Sequence, residues 1–355
     1  MSEAAEAQNA SALLRNLWYR AAQASDLRRG RMVRRILLGD PILLGRTKEG
    51  EPFALRDICP HRGVPLSAGT ICADRTVECA YHGWRFAPDG TCLAIPSLVE
   101  GQDFEPSRIR VRSYPLREQD GLLWIYMPAG ERYDAAPTFD PPRIPLAENG
   151  IPRLRESQIF RCSMDHAVVG LMDPAHGPFV HQAWYWRSRR SIHEKSKRFA
   201  PSLRGFSMVT HRPSSNSFAY RVLGGNVTTE IRFELPGVRF ERIRAGSREI
   251  VGLTTCTPID DNNTEVTQTF YWNRVWLGLL KPVFRPFVRA FLSQDRAMVE
   301  LQREGLKFNP RLMLIRDADV PAMWYHRLKK AWVNSVETGA EFSNPVAETT
   351  LKWRS

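Results

Sequence analysis

Two short cysteine–histidine pairs constrain this chain more than anything else in it. Cys59-Pro60-His61 and Cys79-Ala80-Tyr81-His82 stand seventeen residues apart. Two thiolates and two imidazoles delivered by two loops can hold one metal ion or one cluster. Structural zinc sites usually group like ligands, a Cys pair followed by a His pair. Here each loop supplies one Cys and one His. That suits a [2Fe–2S] cluster in which one iron takes both sulfurs and the other both imidazoles. A zinc site is the alternative. Gly63 and Gly83 follow the two histidines, so that backbone N–H groups can approach the cluster sulfides.

The other cysteines are Cys72, Cys92, Cys162 and Cys256. The chain has 355 residues and opens on an acidic, small-residue stretch with no secretory pattern, so disulfides are not expected. That length predicts two domains. No apolar run reaches the roughly 18 residues of a membrane-spanning helix, and a cytoplasmic protein is the expectation. Residues 1–13 read as a disordered leader. From 14 to 128, Gly and Pro punctuate short apolar runs, the pattern of a small all-β domain. A proline-rich stretch at 135–145 marks the boundary region. Residues 129–355 mix alternating strands (216–223, 226–235, 265–276) with helical patterns around 163–186, from Val288 to Leu306 and over 320–332. The class is therefore α+β. The net charge of +12 favours acidic partners. Its basic clusters, Arg28–Arg35 and Arg187–Arg198, suit a solvated face or the docking of an acidic redox protein. Zinc-finger spacing, RNP-type motifs and repeats are missing, so nucleic acid is not an expected partner.

A second constellation lies in Met172-Asp173-Pro174-Ala175-His176-Gly177-Pro178-Phe179-Val180-His181. Asp173 and His176, at i and i+3, would share one face of a helix. His176 and His181 would point about 140° apart on an ideal helix, and Pro178 supplies a break. Asp173-Pro174 reads as an N-cap followed by the first helical residue. Two histidines with one carboxylate make the facial triad of a non-haem Fe(II) oxygenase, with positions left open for O₂ and substrate. Asp295, on the apolar stripe that includes Met298 and Val299, is the candidate carboxylate, because such a group is costly to bury unless paired or metal-bound. Glu300 is the alternative. His166, His193, His211 and His326 read as structural.

Both constellations, in this order, resemble the alpha subunits of Rieske non-haem iron oxygenases, from Trp18-Tyr19 to the helix at Asp295. The run from Met172 to His181 is most similar to the homomeric vanillate and dicamba O-demethylase group. The resemblance implies a β-sandwich Rieske domain beside a helix-grip catalytic domain with a large antiparallel sheet. It implies that Cys59, His61, Cys79 and His82 hold the cluster and that His176, His181 and Asp295 hold Fe(II). Asp173 would bridge His176 to a Rieske histidine, His82 or its companion, of a neighbouring subunit in a head-to-tail homotrimer, a closed heterologous ring. Respiratory Rieske proteins carry disulfide cysteines where Val64 and Tyr81 stand and a serine where Trp84 stands. Fewer hydrogen bonds to the sulfurs imply a lower potential.

The implied activity is that of a terminal oxygenase. It takes electrons from NAD(P)H through a separate reductase or ferredoxin, and O₂, to hydroxylate an apolar or aromatic substrate, including O- or N-demethylation. No GxGxxG stands at a strand–helix junction, so the nicotinamide is not bound by this chain. A cis-dihydroxylating dioxygenase is the alternative; an electron carrier without catalysis would lack the second constellation. Two departures from the family stand out: Val169 and Gly170 occupy the place of a common asparagine, and Gln294 that of an acidic residue. The aromatic and apolar residues Phe206, Met208, Phe218, Tyr220, Phe233, Phe240, Tyr271 and Trp272 are candidates to line the pocket. Residues 275–292 are amphipathic; packing on the sheet is expected over membrane contact, and Pro282 and Pro286 argue against one continuous helix.

Overall fold

The computed structural model describes residues 13–130, 136–146, 151–181, 189–213 and 226–355. Residues 1–12 of the expected leader, the expected strand at 216–223 with Phe218 and Tyr220, and Arg187 lie outside the described residues. The chain divides into two units, Arg15–Arg143 and Ile144–Ser355, and the division falls within the proline-rich stretch. Residues 139–142 stay with the first unit for a physical reason. The Trp18 indole donates to the Phe139 carbonyl (2.7 Å), the Gln119 amide donates to the Pro141 and Pro142 carbonyls, and Arg117 pairs with Asp140.

The first unit is built from short antiparallel strands: β1 (Leu17–Gln23), β2 (Arg31–Leu37), β3 (Asp40–Arg46), β4 (Pro52–Arg56), β5 (Thr70–Ile71), β6 (Val77–Glu78), β7 (Arg85–Phe86), β8 (Cys92–Ala94), β9 (Leu116–Gln119) and β10 (Leu122–Met127). They form sheets of order β1-β10-β9, β2-β3-β4 and β5-β6-β7-β8. Leu37 pairs with Asp40, which leaves Leu38-Gly39 as the hairpin turn. Both residues have positive φ, 53° and 78°, as the twist-matched two-residue hairpin turn requires. Burial of Leu38 offsets the strain of a branched residue in that region.

The second unit carries one antiparallel sheet, with eight strands among the described residues: β11 (Leu154–Phe160), β12 (Glu194–Ser202), β13 (Gly205–His211), β14 (Val227–Glu234), β15 (Val238–Ala245), β16 (Arg248–Asp260), β17 (Asn263–Trp272) and β18 (Thr349–Arg354). The order is β11-β17-β16-β15-β14-β13-β12-β18. Among the described residues the α-helices are α1 (Met164–Met172), α2 (Gly177–Val180), α3 (Lys281–Leu306) and α4 (Val320–Thr338). None is long and apolar enough to cross a membrane.

Helix α3 starts at Lys281, earlier than the expected Val288. Pro282 lies in the first turn, where its missing N–H has no intrahelical partner anyway, and Pro286 removes only one bond near that end. Most side chains from 281 to 290 are exposed, and the stretch meets the sheet along β11, where Arg285 pairs with Glu156 and the Arg289 carbonyl accepts from the Gln158 amide. Val288 is the residue there that reaches Trp272 and Leu154.

Candidate metal centres

The two cysteine–histidine loops are built alike. The first leaves β4 and the second joins β6 to β7. In each, the cysteine N–H donates to the carbonyl five residues on, Cys59 to Val64 (2.9 Å) and Cys79 to Trp84 (2.8 Å). Four residues on, a glycine N–H returns to the cysteine carbonyl, from Gly63 at 2.9 Å and Gly83 at 3.0 Å. Both glycines have left-handed φ, 73° and 68°, which is a second reason for glycine at these positions.

Cys59 and Cys79 are buried in a core with Leu66, Val77 and Phe86. His61 and His82 are exposed, and their rings meet edge to face at 4.5 Å. Burial pushes the Cys59 thiol up to about 11, and the Cys79 thiol beside it adds to the rise, so a metal must displace protons on binding. Sulfurs inward and imidazoles outward, one of each per loop, fit the donor set of a [2Fe–2S] cluster with a buried and a solvent-facing iron.

Two supports of these loops escape sequence reasoning. The buried Asp57 carboxylate accepts from the Ser67 N–H (2.7 Å) and hydroxyl (2.6 Å), closing the base of the first loop. Trp84 stacks flat on His61, with centroids 4.7 Å apart and planes 4° apart.

The second unit brings His176, His181 and Asp295 together. The two Nε2 atoms are 3.1 Å apart, His181 Nε2 is 3.0 Å from Asp295 Oδ1, and His176 Nε2 is 3.7 Å from the same oxygen. Donors bound at about 2.1 Å and at right angles sit roughly 3 Å apart, so these three atoms map one face of an octahedron. Protonation makes the case stronger. His176 Nδ1 lies 2.7 Å from the Asp173 main-chain carbonyl, and His181 Nδ1 lies 3.0 Å from Gln294 Oε1. Both partners accept as they stand, so each Nδ1 carries a hydrogen, and in the neutral imidazole Nε2 is then the nitrogen that offers a lone pair. Burial holds His176 below the ordinary histidine value, against the upward pull of Asp173 and Asp295. Two Nε2 atoms and a carboxylate oxygen converge at distances that suit a divalent cation at their centre.

The local route to this geometry differs from the helical reading. Asp173 caps the C-terminus of α1, with its N–H donating to the Val169 carbonyl. It is not an N-cap, and it does not share a helix face with His176. Its Oδ1 accepts from the Ala175 N–H at 2.7 Å, an Asx turn that steers the chain into α2. Pro178 is not the break; it sits in the first turn of α2, and the chain leaves the helix at His181 (φ −97°, ψ 52°). Asp295 shares the buried stripe of α3 with Leu292 and Val299, whereas Met298 is 44% exposed. Glu300 is not part of the three-residue group. His166 bonds the Ser163 hydroxyl and His211 the Val209 carbonyl.

A cavity of about 260 Å³ opens beside His176 and Asp295, lined by Phe160, Leu171, Val180, Met298, Val299 and Ala322 among others. Val169 and Gly170, the departures noted above, form part of its wall. The expected lining residues Phe206, Met208, Phe233, Phe240, Tyr271 and Trp272 are instead buried in the sheet core. Phe206 packs on Phe233 and Trp324, for instance. The register puts Phe206 and Phe233 on one face of the sheet and Phe240 and Tyr271 on the other, so these residues report burial on both faces and not a pocket wall. Two neighbours of the metal group went unread: Gln294, seen only as a departure, and Phe291, whose ring stacks on His181 at 3.5 Å.

Comparison with known proteins agrees with this architecture. A family profile described as Rieske [2Fe-2S] domain matches residues 17–115, and one described as vanillate O-demethylase oxygenase C-terminal domain matches 160–335. Chlorophyllide a oxygenase of Chlamydomonas reinhardtii is 33% identical over 49% of this chain and 25% of that protein. The oxygenase component of dicamba O-demethylase from Stenotrophomonas maltophilia is 35% identical over 48% of each. The chain thus spans about half or less of the length of these curated relatives. The crystal structure of dicamba monooxygenase bound to dicamba shares the fold, with TM-score 0.69 and 22% identity over 92% of this chain and 98% of that one. The chain belongs to the Rieske non-haem iron oxygenases, in the branch whose C-terminal domain is of the vanillate O-demethylase type.

Gln294 yields a direct test of the second centre. Gln294→Ala removes the acceptor that orients His181, and Fe(II) affinity should fall roughly 10–100-fold by chelator competition, with the cluster colour unchanged. Gln294→Glu keeps an acceptor oxygen and should restore binding. Wild-type affinity in Gln294→Ala would show that His181 needs no such partner.

Proposed function

We propose that this chain is the terminal oxygenase of a multicomponent system. Cys59, His61, Cys79 and His82 hold the [2Fe–2S] cluster, and His176, His181 and Asp295 hold Fe(II). Electrons come from NAD(P)H through a separate reductase or ferredoxin. The substrate is apolar or aromatic and is monooxygenated, by hydroxylation or by O- or N-demethylation. The observation that carries this reading is the meeting of two histidine Nε2 atoms and a carboxylate within 3.7 Å, beside a cavity walled in large part by apolar side chains. The bound iron supplies oxygen activation: one atom of O₂ enters the substrate, and the other leaves as water with two electrons and two protons. The chain's residues do the rest. Asp173 and Gln294 hold each imidazole in the tautomer that offers Nε2. Phe291 covers the face of His181, and the cavity wall excludes water.

Asp173 carries the further proposal of an electron bridge between subunits of a head-to-tail homotrimer. Its carboxylate is 35% exposed, and Oδ2 lies 3.7 Å from His176 Nδ1, so it can accept from an imidazole of a neighbouring Rieske loop. Asp173→Ala should keep about three irons per chain, two in the cluster and one at the triad, yet lose most turnover. Normal coupled turnover in that variant overturns the bridge. The reaction itself is tested with a surrogate reductase on aromatic ethers, N-methyl compounds and polycyclic substrates. One labelled oxygen from ¹⁸O₂ in the product, or formaldehyde release, supports monooxygenation; a cis-diol with two labelled oxygens would assign the dioxygenase alternative.

A further inference from the structure

The charges around the cavity carry the substrate class one step further, and this step rests on the assignment of that cavity given above. Among its described lining residues the ionisable side chains are Asp173, His176, Asp295 and Asp319; neither Lys nor Arg is present. Two of these carboxylates are fixed by backbone donors. Asp173 Oδ1 accepts from the Ala175 N–H at 2.7 Å, and Asp319 Oδ2 accepts from the Ile315 N–H at 2.8 Å. A divalent ion held by neutral imidazoles and Asp295 leaves one positive charge, and Asp173 and Asp319 set two negative charges against it. Among the described residues the site therefore has no surplus positive charge for an anion.

The wall does offer one uncharged polar group among its described residues, the Gln302 amide. Gln302 lies seven residues, about two helical turns, beyond Asp295 on α3, and so on the same side of the helix. It is exposed and, with the half-exposed Met298, stands at the mouth. An amide can donate to a substrate carbonyl or ether and can accept from a substrate N–H or O–H. The remainder of the described wall is aliphatic or aromatic, with Phe160, Leu171 and Val180 contributed by β11, α1 and α2.

We infer that the substrate is uncharged: an apolar molecule with one neutral hydrogen-bonding group that meets Gln302, and that aromatic acids are rejected. An acid would have to place its carboxylate beside Asp173 and Asp319 with no cationic side chain among the described lining residues to receive it, and like-charge repulsion opposes that. The likeness to known proteins does not suggest this. Relatives 30% and 35% identical over 48% of this chain are named for 3-chlorobenzoate and toluene-4-sulfonate, which are anions.

The test measures binding, so it does not depend on finding the true substrate. Iron-loaded protein is titrated calorimetrically under argon with matched pairs: methoxybenzamide against methoxybenzoate, and methoxynaphthamide against methoxynaphthoate. Each amide should bind at least about tenfold more tightly than its acid, the scale of an unpaired charge met by like charges. Gln302→Arg adds the missing cation and should reverse the order. Gln302→Leu should weaken the amides and leave methoxynaphthalene unchanged. An unaltered protein that binds the acids as tightly as the amides, or that binds no member of either pair, overturns the inference. Iron analysis of the same preparation separates the causes. Preference for acids with about three irons per chain overturns the charge argument alone, whereas absence of the third iron overturns the site and this inference together.

Discussion

Asp295→Ala is expected to purify with full iron–sulfur colour, about two irons per chain instead of about three, and no product above background. Asp295 is buried on the stripe of α3 and is the carboxylate of the three-donor group. Without it, two neutral imidazoles remain to hold a divalent ion, and neither offsets its charge. Even groups that only hydrogen-bond to metal ligands carry roughly 10–100-fold effects on affinity or activity, so loss of a charged ligand should exceed the upper end of that range. The cluster is independent of the change, because its four donors belong to the other unit. Glu300→Ala is the control and should keep the third iron. If Asp295→Ala kept that iron and Glu300→Ala lost it, the alternative carboxylate would be the ligand. The converse experiment is Cys59→Ser, which should bleach the colour and leave the mononuclear iron in place.

How far each centre could be read in the sequence follows from how local its determinants are. The proposed cluster ligands lie between Cys59 and His82, and their spacing encodes two loops that need no long-range information. His176 and His181 are equally local, but the turn that aims them was misplaced. The pattern suggested a helix interrupted at Pro178, whereas an Asx turn at Asp173 and a helix end at His181 perform the task. Asp295 was accessible because an acid on an apolar helical stripe demands a partner. Gln294 and Phe291 were not, since their contacts with His181 depend on how α3 is rotated against α2. The same limit explains the misread cavity. The aromatics in β13 to β17 mark burial on both faces of the sheet, but the wall beside the candidate metal group comes largely from α1, α3 and α4. The Pro-containing start of α3 shows the opposite error, a local rule applied where the helix end makes it weak.

The largest expected effect on stability lies in a contact that no local pattern announces. Lys329 on α4 donates to both oxygens of Asp165, at 2.9 and 2.7 Å, and the Tyr325 hydroxyl donates to one of them at 2.7 Å. The Lys329 side chain is 6% exposed and that of Asp165 18%. Lys329→Met fills the space but leaves the Asp165 carboxylate buried without its counter-charge, a change that costs about 3–5 kcal/mol. Asp165→Leu combined with Lys329→Met removes both charges, and buried ion pairs replaced in this way by apolar groups are close to neutral. The double variant should therefore recover most of the loss. Asp165 lies in the first turn of α1, the helix that ends at Asp173 just before His176, so the pair also clamps the segment that delivers the two proposed iron-binding histidines. Lys329→Met should accordingly weaken Fe(II) binding as well as fold stability. Thermal unfolding followed by near-ultraviolet circular dichroism reads the second unit, and cluster absorbance reads the first. A loss below about 1 kcal/mol in Lys329→Met, the scale of an exposed pair, would show that water reaches Asp165 and that α4 holds α1 by apolar packing alone.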